Sequence, residues 1–445
     1  MSPRPAPLPL PPPLPDYTRW PDTPLLPPAE PPAPPPARAV RWTRPIAALA
    51  PELLCLIFHA GAALPPAPGL PFAVLVAHVS ARWRRTAHAD PFLWTRLHVA
   101  PGTPPARVAA YLARARAFPL DVVLHAPAPP AALTALIAHA HRWRTLDVSA
   151  RTRADLAPLR PLTAPLLASL SIRCPPDPAP DPRNDDRTLL FSGGAPQLAH
   201  VHLDGLGLNA LSVPLRAATR VSLLADPPPD DRRDAMSWEA FHASLSGGAV
   251  RTLRLQGALF APGAAEDGDT TLALPALMHL ELPLCAGGAT ARLLSRLAAP
   301  LLESLHFRTS ADALAGADAD AELHLLCPRS FPALTRLTLD CADIREASTL
   351  TTLARAFPRL AYIELAGTRA HTAALLCAAV GGGAWPRLKE VALREWEALD
   401  EPPLRAMLAA RRAADRPLDR VLLSGPAHAR LGPALGALAR VEELV

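Results

Sequence analysis

A spaced leucine pattern constrains the fold of this chain more than any other feature. The pattern L-x-x-L-x-L, with Val, Ile or Phe in place of some leucines, recurs between residues 198 and 423. From Val250 onward, the first positions of successive copies lie 27, 25, 32, 26, 28 and 30 residues apart. The last two apolar residues of each copy are two positions apart and so share one face of a β-strand. One short strand cannot bury that face alone, so the pattern predicts a stack of repeats.

The copies share three apolar positions, and the segments between them complete each repeat. The copies are Leu198/Val201/Leu203, Val250/Leu253/Leu255, Leu277/Leu280/Leu282, Leu302/Leu305/Phe307, Leu334/Leu337/Leu339, Leu360/Ile363/Leu365, Leu388/Val391/Leu393 and Leu418/Val421/Leu423. Upstream of them, amphipathic helical stretches such as 107–118 alternate with strand-like runs such as 120–124. Proline-rich or acidic insertions are predicted to be loops at the edges of repeats. These insertions are residues 174–187, 225–234, 261–270 and 311–322.

Residues 45–97 predict a small helical module. The Pro-Glu pair at 51–52 suits the first turn of a helix, where a missing amide donor costs nothing and a carboxylate meets the positive dipole end. Leu53, Leu56 and Ile57 then share one face of that helix. Two further helices are predicted over residues 72–78 and 80–89, after a proline-rich loop.

Composition excludes several classes of protein. The net charge of +5 is small for 445 residues, and Lys389 is the only lysine. The arginines are scattered, whereas a nucleic-acid-binding surface clusters them and interleaves them with aromatic residues. No apolar run reaches the roughly 18 residues that a membrane helix needs. The proline-rich start lacks the layout of a secretory signal.

The N-terminal segment and the cysteines point to the same kind of environment. Residues 1–44 form a proline-rich tail, predicted to be extended and mobile because proline fixes φ and lacks a backbone donor. Six cysteines without a C-x-x-C pair favour reduced, buried thiols over a disulfide framework. We therefore expect a cytoplasmic or nuclear protein.

The sequence of the helical module resembles an F-box domain. That family opens with a Leu-Pro-x-Glu-Leu-Leu-x-x-Ile-Phe motif, followed by Val-Cys-x-x-Trp-Arg and then Pro-x-Leu-Trp. The matching residues in this chain are Leu49, Pro51, Glu52, Leu53, Leu54, Ile57 and Phe58; Val79, Arg82, Trp83 and Arg84; and Pro91, Leu93 and Trp94. The repeats that follow are similar to those of fungal-type F-box proteins with leucine-rich repeats, including the Arg-Trp-Arg element at 142–144.

This resemblance implies a fold and a function. The fold is α/β: a three-helix F-box over 45–97, then an irregular leucine-rich-repeat solenoid over 98–445 with a parallel sheet on its concave face. The function is that of a substrate-recognition subunit of an SCF-type (Skp–cullin–F-box) ubiquitin ligase. Such a subunit binds a Skp-type adaptor, and through it a cullin, and holds a protein substrate on its repeats. It is not an enzyme, and we expect no cofactor, metal, nucleic acid or membrane as a partner.

Two sets of site residues go with this interpretation. The predicted adaptor-binding residues lie in or next to the helices of the module, and they are Ile46, Leu49, Pro51, Glu52, Leu53, Leu54, Ile57, Phe58, Val79 and Trp83. The predicted substrate-binding residues flank or separate the last two apolar positions of the strands and therefore point outward. They are His200, His202, Asp204, Arg254, His279, Glu281, His306, Arg308, Arg336, Asp340, Tyr362, Glu364, Glu390 and Arg394.

A second interpretation remains open at this point. The F-box-like helices would then only cap the solenoid of a non-catalytic interaction scaffold. A cap buries the apolar side chains of residues 51–58 within the chain, whereas a docking module leaves them open. An enzymatic function has no motif in its support, since the sequence lacks G-x-S-x-G and H-E-x-x-H. His200 and His202 are two apart on a strand, but no third metal ligand with suitable spacing follows.

Overall fold

The structure of this chain is a computed structural model, and it divides into two units. The described residues are 46, 49–64, 70–175, 188–205, 211–224, 238–257, 270–284, 289–308, 319–325, 331–340, 344–366, 370–394 and 401–444. The first unit covers residues 1–50 and the second covers residues 51–445. The predicted proline-rich tail, residues 1–44, lies outside the described residues. The elements below all belong to the second unit.

The helices alternate with strands along most of the second unit. The α-helices are α1 Pro51–Ala63, α2 Phe72–Val79, α3 Ala81–Ala89, α4 Pro105–Ala115, α5 Pro130–Ile137, α6 Trp238–Leu245, α7 Ala289–Arg296, α8 Ala319–His324, α9 Ala347–Ala356, α10 Ala370–Gly381, α11 Glu401–Ala413 and α12 Gly425–Leu435. Short 3₁₀ helices occur at Pro91–Trp94, Ala140–Arg142 and Arg153–Leu159.

The strands are short, mostly four to seven residues. They are β1 Arg96–Val99, β2 Leu120–His125, β3 Trp143–Ser149, β4 Ser169–Arg173, β5 Thr188–Leu189, β6 His200–Asp204, β7 Leu211–Ser212, β8 Arg220–Leu224, β9 Thr252–Gln256, β10 Leu272–Ala273, β11 His279–Pro283, β12 Leu297–Ala298, β13 Ser304–Arg308, β14 Arg336–Asp340, β15 Tyr362–Ala366, β16 Glu390–Arg394, β17 Arg420–Leu423 and β18 Arg440–Glu443.

One long parallel sheet organises the second unit. In the described part of the chain it has 14 strands, in the order β1-β2-β3-β4-β6-β8-β9-β11-β13-β14-β15-β16-β17-β18. Each strand pairs in parallel with the next strand of this sheet along the chain, and β5–β7 and β10–β12 form two small parallel pairs. The expected α/β class with a parallel sheet is therefore confirmed. All eight copies of the leucine pattern lie on strands of this sheet.

The core lies between one side of the sheet and the return segments. Within each strand the apolar residues alternate with polar ones, so a single face is buried. Leu337 and Leu339 of β14 are fully buried, as are Leu350 and Leu353 of α9, the helix that follows β14. The other side of the sheet carries the polar residues of the strands, and those of β14 are half-buried or exposed.

Two buried arginines hold the loops that enter strands. Arg142 Nη2 donates to Phe118 O at 2.8 Å, and Arg411 Nη2 donates to Leu388 O at 2.8 Å. Both side chains are buried in the described structure, and their contacts join segments 23 and 24 residues apart. A buried guanidinium needs hydrogen-bond acceptors, and carbonyls at the ends of elements need donors, so each contact gives the arginine one acceptor and the carbonyl one donor. Arg411 Nε is buried without a hydrogen-bond partner among the described residues.

Three boundaries differ from the sequence-based prediction. The predicted domain boundary at 97/98 lies inside β1, because Leu97 is a buried residue of that strand. The third helix begins at Ala81 rather than at Ser80, since Ser80 is its N-cap and its Oγ accepts a hydrogen bond from Trp83 N at 3.1 Å. Of the insertion predicted over 311–322, residues 319–322 belong to helix α8. Most of the other insertions lies outside the described residues.

Candidate functional site

The helical module of the structure, residues 51–94, has a core of its own. Leu54 and Phe58 on α1 are fully buried. The Phe58 ring packs at a tilt against Trp83 of α3, with 5.1 Å between the ring centroids. His59 Nε2 lies 2.6 Å from Asp90 Oδ2 and ties α1 to the end of α3. The inclusion of Leu54 and Phe58 among the adaptor-binding residues is therefore corrected, since both serve the module's own packing.

A different stripe of α1 is apolar and exposed. Leu53 is 48% exposed, Leu56 63% and Ile57 43%. At 3.6 residues per turn, these three side chains fall within a sector about 100° wide. We call Leu53, Leu56 and Ile57 the α1 stripe. Single exposed apolar residues are ordinary on a protein surface, but a stripe of large ones along one helix indicates a contact surface.

The α2 helix adds exposed apolar side chains to the module. Leu75 and Val79 are 46% and 60% exposed, and their i, i+4 spacing puts them on one face. Pro51 and Glu52 at the start of α1 are also exposed, and Trp83 is half-buried. The sequence-based set missed Leu56 and Leu75, although the spacing of Leu56 from Leu53 already placed the two on one face.

The two predicted residues that precede α1 belong to the first unit. Ile46 is exposed and Leu49 is half-buried, and Leu49 N donates to Ile46 O at 3.3 Å. That bond closes a short turn.

The module is joined to the first repeat by residues other than the α1 stripe. Trp94 is almost completely buried, and its Nε1 donates to Ala87 O at 2.7 Å. Its ring makes an edge contact with Tyr111 of α4 at 4.9 Å between centroids. The guanidinium carbon of Arg114, also on α4, lies 4.5 Å from the Trp94 ring centroid. This junction leaves the α1 stripe free for a contact with another molecule.

The polar side of the long sheet brings the predicted substrate-binding residues into rows. We call the outward residues of its strands the strand face. The register aligns Arg254, Glu281 and His306 across β9, β11 and β13, and aligns Arg336, Tyr362 and Glu390 across β14, β15 and β16. His200, His202 and Asp204 lie on β6, nearer to the helical module along the sheet. All 14 predicted residues lie at outward positions of these strands.

Glu281 is the centre of an ion-pair network on the strand face. Its carboxylate accepts hydrogen bonds from Arg254 Nε at 2.5 Å, Gln256 Nε2 at 2.8 Å and Arg308 Nη1 at 3.1 Å. Arg308 Nε also bonds Asp340 Oδ2 at 3.2 Å. Burial alone would raise the pKa of Glu281, but the hydrogen bonds from Gln256 and Arg254 outweigh it and hold that pKa below its ordinary value.

His306 lies half-buried between two carboxylates of this network. Its Nδ1 is 3.8 Å from Glu281 Oε2, and its Nε2 is 4.0 Å from Asp340 Oδ2. Burial lowers the pKa of His306, against the opposing effect of the two acids. The neutral imidazole is thus favoured here, and its Nε2 is a buried atom without a hydrogen-bond partner among the described residues.

A second cluster lies two strands further along. The Tyr362 hydroxyl donates to Glu364 Oε2 at 2.8 Å, and Arg394 Nε donates to Glu364 Oε1 at 3.0 Å. The guanidinium of Arg336 stands over the Tyr362 ring at 4.1 Å. Burial, followed by the hydrogen bond to Glu364, raises the pKa of Tyr362. Tyr362 and Glu281 are themselves buried, so they contact a partner less than their outward position predicts.

The charged side chains of these two clusters on the strand face are therefore largely paired with one another. The face offers hydrogen bonds to a partner rather than a reactive group. The described residues contain no cluster of three or more His, Cys, Asp or Glu side chains arranged to hold a metal ion. Within that part of the chain, none of the helices combines the length and apolar character needed to cross a bilayer.

The described cysteines are free thiols. Cys174 and Cys377 are buried, whereas Cys55 is only half-buried, contrary to the expectation of buried thiols. Burial raises the pKa of Cys377 to about 12 and so keeps this thiol protonated at neutral pH. Cys285, Cys327 and Cys341 lie outside the described residues.

No model of a known protein family matches the chain, and no curated protein matches it at a significant level.

Proposed function

We propose that this chain is a substrate-recognition subunit of an SCF-type ubiquitin ligase. Its helical module would be an F-box that docks a Skp-type adaptor, and its sheet and return helices would be an irregular leucine-rich-repeat solenoid that holds a protein substrate. The observation that carries the proposal is the exposed α1 stripe of Leu53, Leu56 and Ile57 on a three-helix module. The F-box-like motif residues of the module add to it.

The α1 stripe suits a stable protein partner. Burying a Leu or Ile side chain stabilises a complex by about 1.5–3 kcal/mol relative to full exposure, and roughly half of that remains to be gained at Leu53 and Ile57. Val79 and Leu75 would add to the same contact or to its rim. The adaptor in turn would link the chain to a cullin.

The strand face suits the substrate. Neighbouring strands lie about 4.8 Å apart, whereas packed helices lie 8–10 Å apart, so a sheet backed by return helices bends toward its strand side. Such a curved, polar surface with many partly exposed donors and acceptors favours a selective contact with a folded protein. Its predicted contributors include His200, His202, His279 and Arg394.

In this role the chain performs no covalent step. It would raise the effective concentration of a substrate lysine near the ubiquitin-charged conjugating enzyme. The free thiols suit a cytoplasmic or nuclear location.

Substitution of the α1 stripe tests the proposal. In the double variant Leu53→Asp with Ile57→Asp, two carboxylates would lose hydration on docking and the apolar contact would be lost. We expect the affinity for a purified Skp-type adaptor to fall at least about 100-fold, measured by co-purification and by calorimetry. The control is Leu166→Asp with Leu301→Asp, two similarly exposed leucines of the repeats. Equal adaptor binding by both double variants would show that the α1 stripe is not the docking surface.

A non-catalytic scaffold is the second candidate, and the Trp94 junction favours it. The contacts of Trp94 with Tyr111 and Arg114 support it, because they join the module to helix α4, as a cap would require. The two functions separate in the same experiment. If the chain is only a scaffold, the unsubstituted chain does not bind the adaptor. Substitutions in the module then lower the stability of the chain and change no binding.

A further inference from the structure

The strand β1 is an open edge of the long sheet. In the described part of the chain it pairs only with β2, and it lies at one end of the strand order. Asp121 N donates to Thr95 O at 2.9 Å. Because the backbone groups of successive residues in a strand point to opposite sides, this bond shows which residues of β1 face β2. The backbone groups of Thr95, Leu97 and Val99 point toward β2, and the amides and carbonyls of Arg96 and His98 point away from it. Such an edge is able to pair with a further extended segment.

A cavity runs along this edge. It is a small, shallow cavity that is partly open to solvent. The backbone and side chains of β1 form one wall, and Thr103, Arg107 and Tyr111 from the start of α4 and its preceding loop form the other. Pro71 of the helical module closes one side. The cavity thus has the shape of a short groove between a strand edge and a helix.

The groove carries positive charge that the described residues do not neutralise. Neither Arg96 nor Arg107 has a carboxylate of the described residues within ion-pair distance. Asp121 is next to Arg96 in register, but it is engaged by Arg144 Nη2 at 2.5 Å and by Thr145 Oγ1 at 3.0 Å. Burial, and then the charges of Arg96, His125 and Arg107, hold the pKa of His98 below its ordinary value, against the opposing effect of the Asp147 carboxylate.

The strand face shows the opposite arrangement. There, Arg254 and Arg308 bind Glu281, Arg394 binds Glu364, and Arg420 binds Glu390 at 2.5 Å. A cationic groove with free backbone donors requires the missing negative charge from another molecule. The N-terminus of α4, an 11-residue helix, points its positive dipole end to the same place.

We propose that the β1 edge binds an extended acidic peptide segment, which adds a strand to the sheet and places its carboxylates on Arg96 and Arg107. Backbone pairing supplies the register, and the two guanidiniums select acidic over basic or neutral segments. In assigning this segment to the protein that is to be ubiquitinated, the proposal rests on the function proposed above. The strand edge would then be a second substrate contact, beside the strand face.

The test uses the full-length chain and three fluorescein-labelled peptides in an anisotropy titration at low salt. The first alternates Glu and Val over seven residues. The second replaces each Glu by Lys, and the third replaces each Val by Pro, which keeps the charge but removes alternate backbone donors. We expect saturable binding of the first peptide, and at least about tenfold weaker binding of the other two.

A double variant locates the binding. In Arg96→Glu with Arg107→Glu, affinity for the Glu-Val peptide should fall at least about tenfold, because both cationic contacts become repulsive. The control is Arg216→Glu with Arg387→Glu, which changes the net charge equally at two exposed arginines elsewhere. It should bind as the unsubstituted chain does.

Three results would overturn the proposal: equal binding of the Lys-Val peptide, equal binding of the Glu-Pro peptide, or unchanged affinity in the Arg96/Arg107 variant. The peptide comparison decides the matter on the unsubstituted chain even if that variant does not fold. Adaptor binding is measured on the same samples. A chain that binds the peptide but no adaptor contradicts the ligase function alone, and a chain that binds the adaptor but no peptide contradicts the edge proposal alone.

Discussion

The helical module and the strand face expose opposite kinds of surface. On the module, Leu53, Leu56 and Ile57 remain apolar and in contact with solvent. On the strand face, a carboxylate such as Glu281 or Glu364 is already bonded by arginines of neighbouring strands. An apolar surface gains free energy simply by being covered, whereas a paired polar surface gains only if a partner replaces its existing bonds well. This difference fits a module that always binds the same partner and a sheet that binds only proteins able to replace its existing hydrogen bonds.

The largest expected effect comes from breaking the junction between the two regions. Trp94→Ala removes a buried ring, its hydrogen bond to Ala87 O and its contacts with α4. Trp-to-Ala changes in a core cost about 3–5 kcal/mol. We expect the free energy of unfolding to fall by that amount in a denaturant titration followed by circular dichroism. Trp83→Ala, at a half-buried ring, should cost less, and an equal cost would contradict the structural importance of the junction.

The next test separates the two sides of α1. Leu54→Ala leaves a cavity in the module and should lower the free energy of unfolding by about 2–5 kcal/mol. Leu53→Ala, one residue away, should change it by less than about 0.5 kcal/mol but weaken adaptor binding about tenfold. Calorimetric unfolding and adaptor titration of the two variants check both statements. If Leu53→Ala were the more destabilising change, the assignment of the two sides of α1 would be wrong.

The repeats were predictable because their signal is local. Each leucine-pattern copy contains its own two-residue alternation, so every copy lies on a strand whatever the length of the insertions around it. The strands β1 and β8 were missed because Trp94 and Ala218 occupy the first position of their copies. Both still carry the later apolar pair, Leu97/Val99 and Val221/Leu223, and would be found by a pattern that allows any apolar residue there.

The candidate site was less predictable because it depends on contacts between distant residues. The α1 segment is apolar on almost every side, so spacing alone does not tell whether Leu53 or Leu54 meets α3. The partners of Glu281 lie 25 to 27 residues away along the chain, across repeats of unequal length. Only the register of the strands brings Arg254 and Arg308 to the same carboxylate.

Removal of one charge tests the self-neutralised character of the strand face. Glu281→Gln should lower the free energy of unfolding at pH 7 by about 1 kcal/mol. The effect is no larger because Arg254 and Arg308 are partly exposed, so that solvent screens their attraction to Glu281. Because the folded pKa of Glu281 is below its unfolded value, this contribution is present above about pH 4.3 and is lost as the pH falls through the folded pKa.

Unfolding of both proteins between pH 3 and pH 7 checks this statement. The stability difference between the unsubstituted chain and Glu281→Gln should shrink toward low pH. Glu303→Gln, at an exposed carboxylate on the residue before β13, is the matched control. A difference for Glu281→Gln that grew as the pH fell would contradict the lowered pKa.

The smallest expected effect on stability concerns the only lysine of the chain. The Lys389 amine is exposed and lies 3.9 Å from Asp419 Oδ2, so Lys389→Arg should change the free energy of unfolding by less than about 0.5 kcal/mol. Its chemical effect is total, because the variant has no side-chain amine left to attack a ubiquitin thioester. In a reconstituted ligase, the unsubstituted chain should accept ubiquitin only at Lys389 or at its N-terminal amine, and the variant only at the latter, as mapped by mass spectrometry. Abundant modification of other residues would contradict this. It would show that a side chain other than an amine accepts ubiquitin, either on the helical module or on the repeats.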